Sequence, residues 1–274
     1  MIEPLVSPQW LKDNLNNSNL IILDASVIDN QAGITSEYTH QKIEGAQHVD
    51  LKHSFSDTES PFPNTFPSEA QFQMECRSLG IHDSSRIIVY DNLGIYTSPR
   101  IWWMFRAMGH KKVHVLNGGL PNWIRQGFDT VEHFGSKDKP GNFRARLQAG
   151  RVKSINDIRS NLSQEQYIVV DARNEQRFKG MIHEPRAGLR SGNIPKSINI
   201  PYNHVLKDGR YKSHKELKRI FEDAGVDERP IAFSCGSGVT ACILLLAAEM
   251  VLSNDTSVYD GSWTEYGSLI PEGM

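Results

Sequence analysis

The sequence predicts an α/β protein made as one unit written twice, each copy a mostly parallel sheet covered by helices on both faces. Three observations predict it. Short apolar runs alternate with helical segments from end to end, the pattern that parallel strands joined by crossover helices produce. Four motifs of the first half return in the second, in the same order and at a near-constant offset. Finally, "IAFSCGSGVTACILLLAAEM", residues 231–250, passes from strand to helix through a cysteine and two glycines, the construction found at the ligand-binding edge of an open sheet.

The elements follow in order. "SPQWLKDNLN" (7–16) and "SINDIRSNLS" (154–163) each open on a serine placed to cap a helix. "LIILD" (20–24) and "IVVDA" (168–172) are apolar strands that reach an aspartate, Asp24 and Asp171. "KIEGAQHVDL" (42–51) pairs with "GNIPKSINIP" (192–201), each a polar turn followed by strand-like alternation. "RIIVYDNLG" (86–94) pairs with "RPIAFSCGSG" (229–238), which puts Asp91 where the second half has Cys235. "VHVLNGGLPNW" (113–123) pairs with "TSVYDGSWTEY" (256–266). A first domain over 1–134 and a second over 151–274 are therefore expected. They are joined by "GSKDKPGNFRARLQAG" (135–150), a charged stretch with glycines and a proline that reads as a linker.

Composition excludes several classes. The formal net charge is −2, from 30 basic and 32 acidic residues, and no basic block appears, so neither nucleic acid nor an anionic membrane is an expected partner. The opening "MIEPLVSPQWLKDN" lacks the charged and apolar regions of a secretory signal. The longest apolar stretch, Ala241–Leu252 with Glu249 inside it, is shorter than the roughly 20 residues of a membrane span. Three cysteines, Cys76, Cys235 and Cys242, make no disulfide framework and fit a reducing cytoplasm. No cysteine or histidine pair has ligand spacing, so no metal is expected.

The loop Cys235-Gly236-Ser237-Gly238-Val239-Thr240 carries the chemistry. Glycines at 236 and 238 let successive amides turn inward around one point, and the following helix adds unpaired N–H groups and the positive end of its dipole. Such surroundings favour a thiolate, or a thiolate carrying a further anionic atom. The competing description, a small buried cysteine in a tight turn, holds for most free cysteines. The strand-end position tells against it here. For Cys242, two turns into a leucine-rich helix, and for Cys76 in "AQFQMECRSLG", helix packing is the expected role. A cysteine phosphatase loop would need arginine at the sixth position after the cysteine, where this chain has Ala241.

The duplicated unit, "CGSGVTA" at the loop and "VYDGSWTEYG" at 258–267 resemble the two-domain rhodanese superfamily of sulfurtransferases over nearly the whole chain. The resemblance implies tandem rhodanese-like domains in which only the second is catalytic, with Asp91 marking the inert first. A cysteine-glycine-serine-glycine loop is most similar to the 3-mercaptopyruvate branch, since thiosulfate-preferring members carry arginine and lysine after the cysteine. Charge agrees: thiosulfate is a compact dianion helped by cations in the loop, whereas mercaptopyruvate needs a cation for a carboxylate further away. By the same resemblance, Arg177 in "EQRFKG" and Arg186 in "EPRAG" bind that carboxylate, and Ser237 takes part in proton handling.

The implied chemistry uses no cofactor. The Cys235 thiolate takes sulfur from the donor and holds it as a persulfide, cradled by the N–H groups of Gly236, Ser237, Gly238, Val239 and Thr240. An acceptor thiol, a thioredoxin-like protein or cyanide then removes it. Thiosulfate as donor, and a sulfur-relay or binding module with little small-molecule turnover, are the alternatives. The sequence departs from the family in two places. Lys42 stands where members have a histidine proposed to pair with the loop serine, with His40 two residues away, and Asn193 stands where histidine is usual in the second domain.

Overall fold

The computed structural model describes residues 3–30, 33–136 and 139–271. Among them the chain forms two compact units. One takes in the chain up to Asp57, Phe66–Gln148 and Asp208–Tyr211, and the other Thr58–Thr65, Ala149–Lys207 and the chain from Lys212 onward.

In the first unit the elements run β1 (Leu5–Val6), α1 (Pro8–Asn14), β2 (Leu20–Asp24), β3 (Gln47–His48), α2 (Glu69–Ser78), β4 (Arg86–Tyr90), α3 (Ser98–Ala107), β5 (Val113–Leu116) and α4 (Gly119–Arg125). In the second unit they run β6 (Val152–Lys153), α5 (Ile155–Gln164), β7 (Ile168–Asp171), α6 (Glu175–Phe178) and β8 (Ile198–Asn199). Two short strands, β9 (Leu206–Lys207) and β10 (Arg210–Tyr211), belong to neither large sheet. The series closes with α7 (His214–Asp223), β11 (Ile231–Ser234), α8 (Ala241–Val251), β12 (Thr256–Tyr259) and α9 (Ser262–Leu269).

The two large sheets share one topology. Their strand orders are β1-β5-β4-β2-β3 and β6-β12-β11-β7-β8, parallel throughout. Each sheet therefore centres on the strand that precedes the predicted loop, β4 before Asp91 and β11 before Cys235. Strands β2, β5, β7 and β11 are mostly apolar and buried along their length, as parallel strands covered on both faces must be. Helix starts match the sequence. Ser7 Oγ accepts the Trp10 amide, and Ser154 closes a capping box with Asp157. The core of the first unit gathers Leu20, Ile22, Ile88, Tyr90 and Trp123, and that of the second Tyr167, Val169, Tyr259, Trp263 and Tyr266.

Two features differ from expectation. The motifs at 42–51 and 192–201 yield strands of only two residues each, at the edges of their sheets. The segment 135–150, read as a linker, has Lys137 and Asp138 outside the described residues. Its described part up to Gln148 runs as a strap along the first unit. The amides of Gly141, Phe143, Arg146 and Gln148 donate to the carbonyls of Arg77, Ile81, Met108 and Ala107. Phe143 explains the difference. It is buried against the rings of Phe72, Phe105 and His110, an apolar anchor inside a charged stretch.

Candidate active site

Cys235 follows β11 at the carboxyl end of the central strand and is buried. Its loop is gripped from beneath by the start of α9. The amides of Trp263 and Thr264 donate to the carbonyls of Cys235 and Gly236, and the Thr264 hydroxyl donates to the Gly236 carbonyl at 2.6 Å. The two glycines serve different ends. Gly238 adopts φ +75°, a left-handed conformation that favours glycine. Gly236 needs no unusual backbone. A side chain there would meet the guanidinium groups of Arg177 at 3.2 Å and Arg186 at 3.7 Å, so what matters is the space above it.

The first half shows what this geometry does with an anion. The Asp91 carboxylate is fully buried, and its Oδ2 accepts the amides of Tyr96, Thr97 and Ser98 and the Ser98 hydroxyl, while Oδ1 accepts the Leu93 amide. Thr97 is the N-cap of α3 and Thr240 the N-cap of α8. The amides corresponding to the Asp91 donors are therefore those of Val239, Thr240 and Ala241. None of these three, nor the amides of Gly236 and Ser237, donates to a protein acceptor among the described residues. Gly238 corrects the sequence expectation, because its amide is turned to the Ser262 hydroxyl at 3.1 Å. Ala241, outside the predicted cradle, presents the amide that matches Ser98.

The predicted arginines come together. Arg186 Nη2 lies 3.3 Å from Ser237 Oγ, and both guanidinium groups overhang Gly236. Arg177, on the short helix α6, is already partly neutralised: its Nη2 pairs with Glu184 Oε2 at 2.6 Å. The Glu184 side chain is fully buried and its other oxygen pairs with Arg173 Nη1 at 2.8 Å. Arg173 in turn grips Asp171 at the end of β7, giving an alternating chain Asp171–Arg173–Glu184–Arg177. Burial alone would lower the Arg173 pKa, and the adjacent carboxylates outweigh it and hold it raised. The Arg173 and Arg190 guanidiniums lie over the Trp263 ring, at 4.6 and 4.5 Å from its centroid.

Sequence reasoning missed three residues here. Asn64 donates its side-chain amide to Ser237 Oγ at 2.9 Å, from a left-handed turn position at φ 59°. The only signal for it was a polar residue inside "SPFPNTF", which is turn-like but not visibly functional. Glu184 sits inside the same "EPRAG" that singled out Arg186, and only its burial shows what it does. Ser262 belongs to "VYDGSWTEYG", but nothing in the string aims its hydroxyl at the cysteine loop. Of the residues marked as departures, Lys42 donates to the Thr39 carbonyl and lies over the Phe134 ring, His40 is exposed, and Asn193 caps the end of α6 by donating to the Phe178 carbonyl. The other two cysteines are helix residues. Burial pushes the Cys76 thiol well up, and Cys242 Sγ rests on the Gly238 carbonyl at 3.3 Å.

The model of the rhodanese-like domain matches residues 7–126 and again 154–269. Mouse 3-mercaptopyruvate sulfurtransferase is 38% identical over 276 residues, covering 97% of this chain and 92% of that protein. Rat thiosulfate sulfurtransferase is also 38% identical, over 277 residues, with 97% and 93% covered. The crystal structure of SseA from Escherichia coli, described as a 3-mercaptopyruvate sulfotransferase of rhodanese fold, superposes with a TM-score of 0.83 at 32% identity, covering 95% of this chain and 98% of its own.

Proposed function

Since the chain belongs to the rhodanese-like family of sulfurtransferases, we propose that it takes sulfur from 3-mercaptopyruvate onto Cys235 and passes it to a thiol, a thioredoxin-like protein or cyanide. The observation that carries the donor assignment is the position of the cations. The loop itself has none, while Arg177 and Arg186 overhang Gly236. A carboxylate there leaves room for a sulfur a few atoms away at Cys235, the span that mercaptopyruvate has and thiosulfate lacks.

In this mechanism the Cys235 thiolate forms an S–S bond to the donor sulfur as the donor's C–S bond breaks. The electron pair of that bond leaves with carbon as the enolate of pyruvate, and the proton given up by the donor thiol converts that enolate to pyruvate. No external oxidant or reductant enters. The sulfur left on Cys235 is a persulfide, whose negative charge meets the amides of Gly236, Ser237, Val239, Thr240 and Ala241 and the helix N-terminus behind them. Ser237 Oγ accepts hydrogen bonds from Asn64 and Arg186, so its own proton is free to point at a third acceptor. An amide cannot take up that proton, so Ser237 serves as a hydrogen-bond donor to the leaving enolate and keeps its proton through the step.

The test is intact-protein mass after separate brief incubations with 3-mercaptopyruvate and with thiosulfate, beside Cys235→Ser. A one-sulfur gain mainly with mercaptopyruvate, absent in Cys235→Ser, is the expected result. A gain mainly with thiosulfate would transfer the assignment to that donor, the second reading, which the equally similar thiosulfate sulfurtransferase supports. No gain with either would leave a relay or binding module.

Asn64 gives a second prediction. Asn64→Ala removes one of the two donors that orient Ser237, and kcat for sulfur loading is expected to fall about tenfold with the mercaptopyruvate KM little changed. Asn64→Asp, which can only accept when ionised, should be at least as slow. Stopped-flow loading rates over a range of donor concentrations check both. A wild-type kcat in Asn64→Ala would remove Asn64 from the mechanism.

A further inference from the structure

Ser262 stands in a costly conformation for a residue with a side chain. It is fully buried at φ +51°, in the left-handed region that L side chains rarely adopt. Strain of this kind persists only where surrounding contacts over-determine it. The hydrogen bonds of its hydroxyl go to the cysteine loop and to the end of β12. Ser262 Oγ accepts the Cys235 amide and the Gly238 amide, both at 3.1 Å, and donates to the Tyr259 carbonyl at 2.9 Å.

The duplicated half supplies a comparison inside the same molecule. Gly119, the counterpart of Ser262 by motif, has the same φ of +51°, and the Leu120 amide donates to the Asp91 carbonyl as the Trp263 amide does to that of Cys235. There is no side chain at Gly119 and no space for one. A β-carbon would fall 2.3 Å from the Asp91 carbonyl oxygen and 2.5 Å from that of Gly94. The Asp91 loop has settled onto a glycine. The Cys235 loop is held off by a serine, whose hydroxyl gathers the amides at both ends of the turn 235–238. With those two amides committed, the amides of Gly236, Ser237, Val239, Thr240 and Ala241 are the ones left without a protein acceptor among the described residues.

We propose that Ser262 is a positioning residue for sulfur transfer: its hydroxyl holds the Cys235 and Gly238 amides and so fixes the point on which the remaining loop amides converge. The role rests on Cys235 being the sulfur carrier. Without the hydroxyl, two buried amides lose their acceptor, and the loop relaxes toward the closer approach seen over Gly119. The sulfur then sits off the centre of the cradle, which slows the chemical step and leaves donor binding by the arginines in place.

The test uses the full chain with Ser262→Gly and Ser262→Ala. Ser262→Gly decides the matter if alanine fails to fold, because glycine holds this backbone conformation in the first half. Persulfide formation is followed by time-resolved intact mass over a range of mercaptopyruvate or thiosulfate concentrations, whichever loads the wild type. The rate of Cys235 alkylation by iodoacetamide at one fixed pH and urea unfolding are measured alongside. The expected result is a kcat lowered ~10–100-fold, as for loss of preorganised electrostatic stabilisation. KM should stay within about threefold and the alkylation rate should change several-fold, with Ser262→Gly folded at the assay temperature. A kcat within twofold of wild type, a change confined to KM, or a loss of rate that tracks the unfolded fraction would overturn the proposal. Failure of the wild type itself to load would overturn the assignment of Cys235, a distinguishable outcome.

Discussion

Replacing Asp91 with alanine is expected to lower the stability of the first unit by on the order of 4 kcal/mol, the cost of leaving four buried amides without an acceptor. The carboxylate accepts five hydrogen bonds, four of them from backbone amides that have turned inward. Removing it leaves those donors buried with nothing to bind, and each unsatisfied amide costs about 1–3 kcal/mol. Asp91→Asn keeps the shape but loses the charge and offers one acceptor oxygen in place of two, so an intermediate loss is expected. Urea unfolding followed by tryptophan fluorescence checks this. Trp10, Trp102, Trp103 and Trp123 all lie in the first unit, so the signal reports mainly on it. The emptied cradle should also respond to anions. Formate, which matches the lost carboxylate, should raise the midpoint of Asp91→Ala and leave the wild type unmoved. An Asp91→Ala midpoint equal to the wild type's would mean that the loop had closed over the gap, and that Asp91 carries no anion role.

Replacing Glu184 is expected to act on both stability and donor choice. Glu184→Ala leaves Arg173, only 1% exposed, facing Arg177 with their shared carboxylate gone. A loss of about 3–5 kcal/mol from the second unit is expected, read by thermal or urea unfolding followed by circular dichroism. Glu184→Gln keeps the volume and one acceptor oxygen, so it should fold and allow the functional effect to be read. In the wild type the Glu184 charge offsets that of Arg177 above Gly236. With glutamine the site gains one uncompensated positive charge, which favours a dianion over a monoanionic carboxylate. The ratio of thiosulfate to mercaptopyruvate loading rates should rise on the order of tenfold, about what one added unit charge contributes at an intermediate effective dielectric. An unchanged ratio would mean that Glu184 only supports the fold and that donor choice lies elsewhere in the loop.

Local pattern carried much of this protein into view. An apolar run such as "LIILD", Leu20–Asp24, suits a strand covered on both faces, and the serines at 7 and 154 announce helix starts wherever the chain goes. The place of Cys235 was equally legible, because a strand, a glycine-rich turn and an apolar helix in succession put the turn at the carboxyl end of a parallel strand. Two readings failed for want of the same information. The charged stretch 135–150 looked like a linker because one phenylalanine among polar residues carries no period, yet Phe143 reaches an aromatic cluster and anchors the segment. Gly238 was assigned to the cradle because glycines at 236 and 238 let successive amides turn inward, yet its amide turns to a hydroxyl 24 residues further along the chain.

The duplication, the alternation of strand and helix, and the strand-end cysteine with its helix behind it can all be read along the chain, while Arg177 and Arg186 are singled out by the family resemblance. The partners that complete the site emerge only in the folded molecule. Asn64 meets Ser237 across 173 positions, Glu184 divides one carboxylate between two arginines, and Ser262 holds two loop amides from a conformation its own side chain disfavours. The division is one of range. Periodicity and turn chemistry act between neighbours in the chain, so the order of residues is enough to reveal them. A hydrogen bond or ion pair between distant residues depends on an approach of about 3 Å and on exclusion of water, and both arise only when the core has packed.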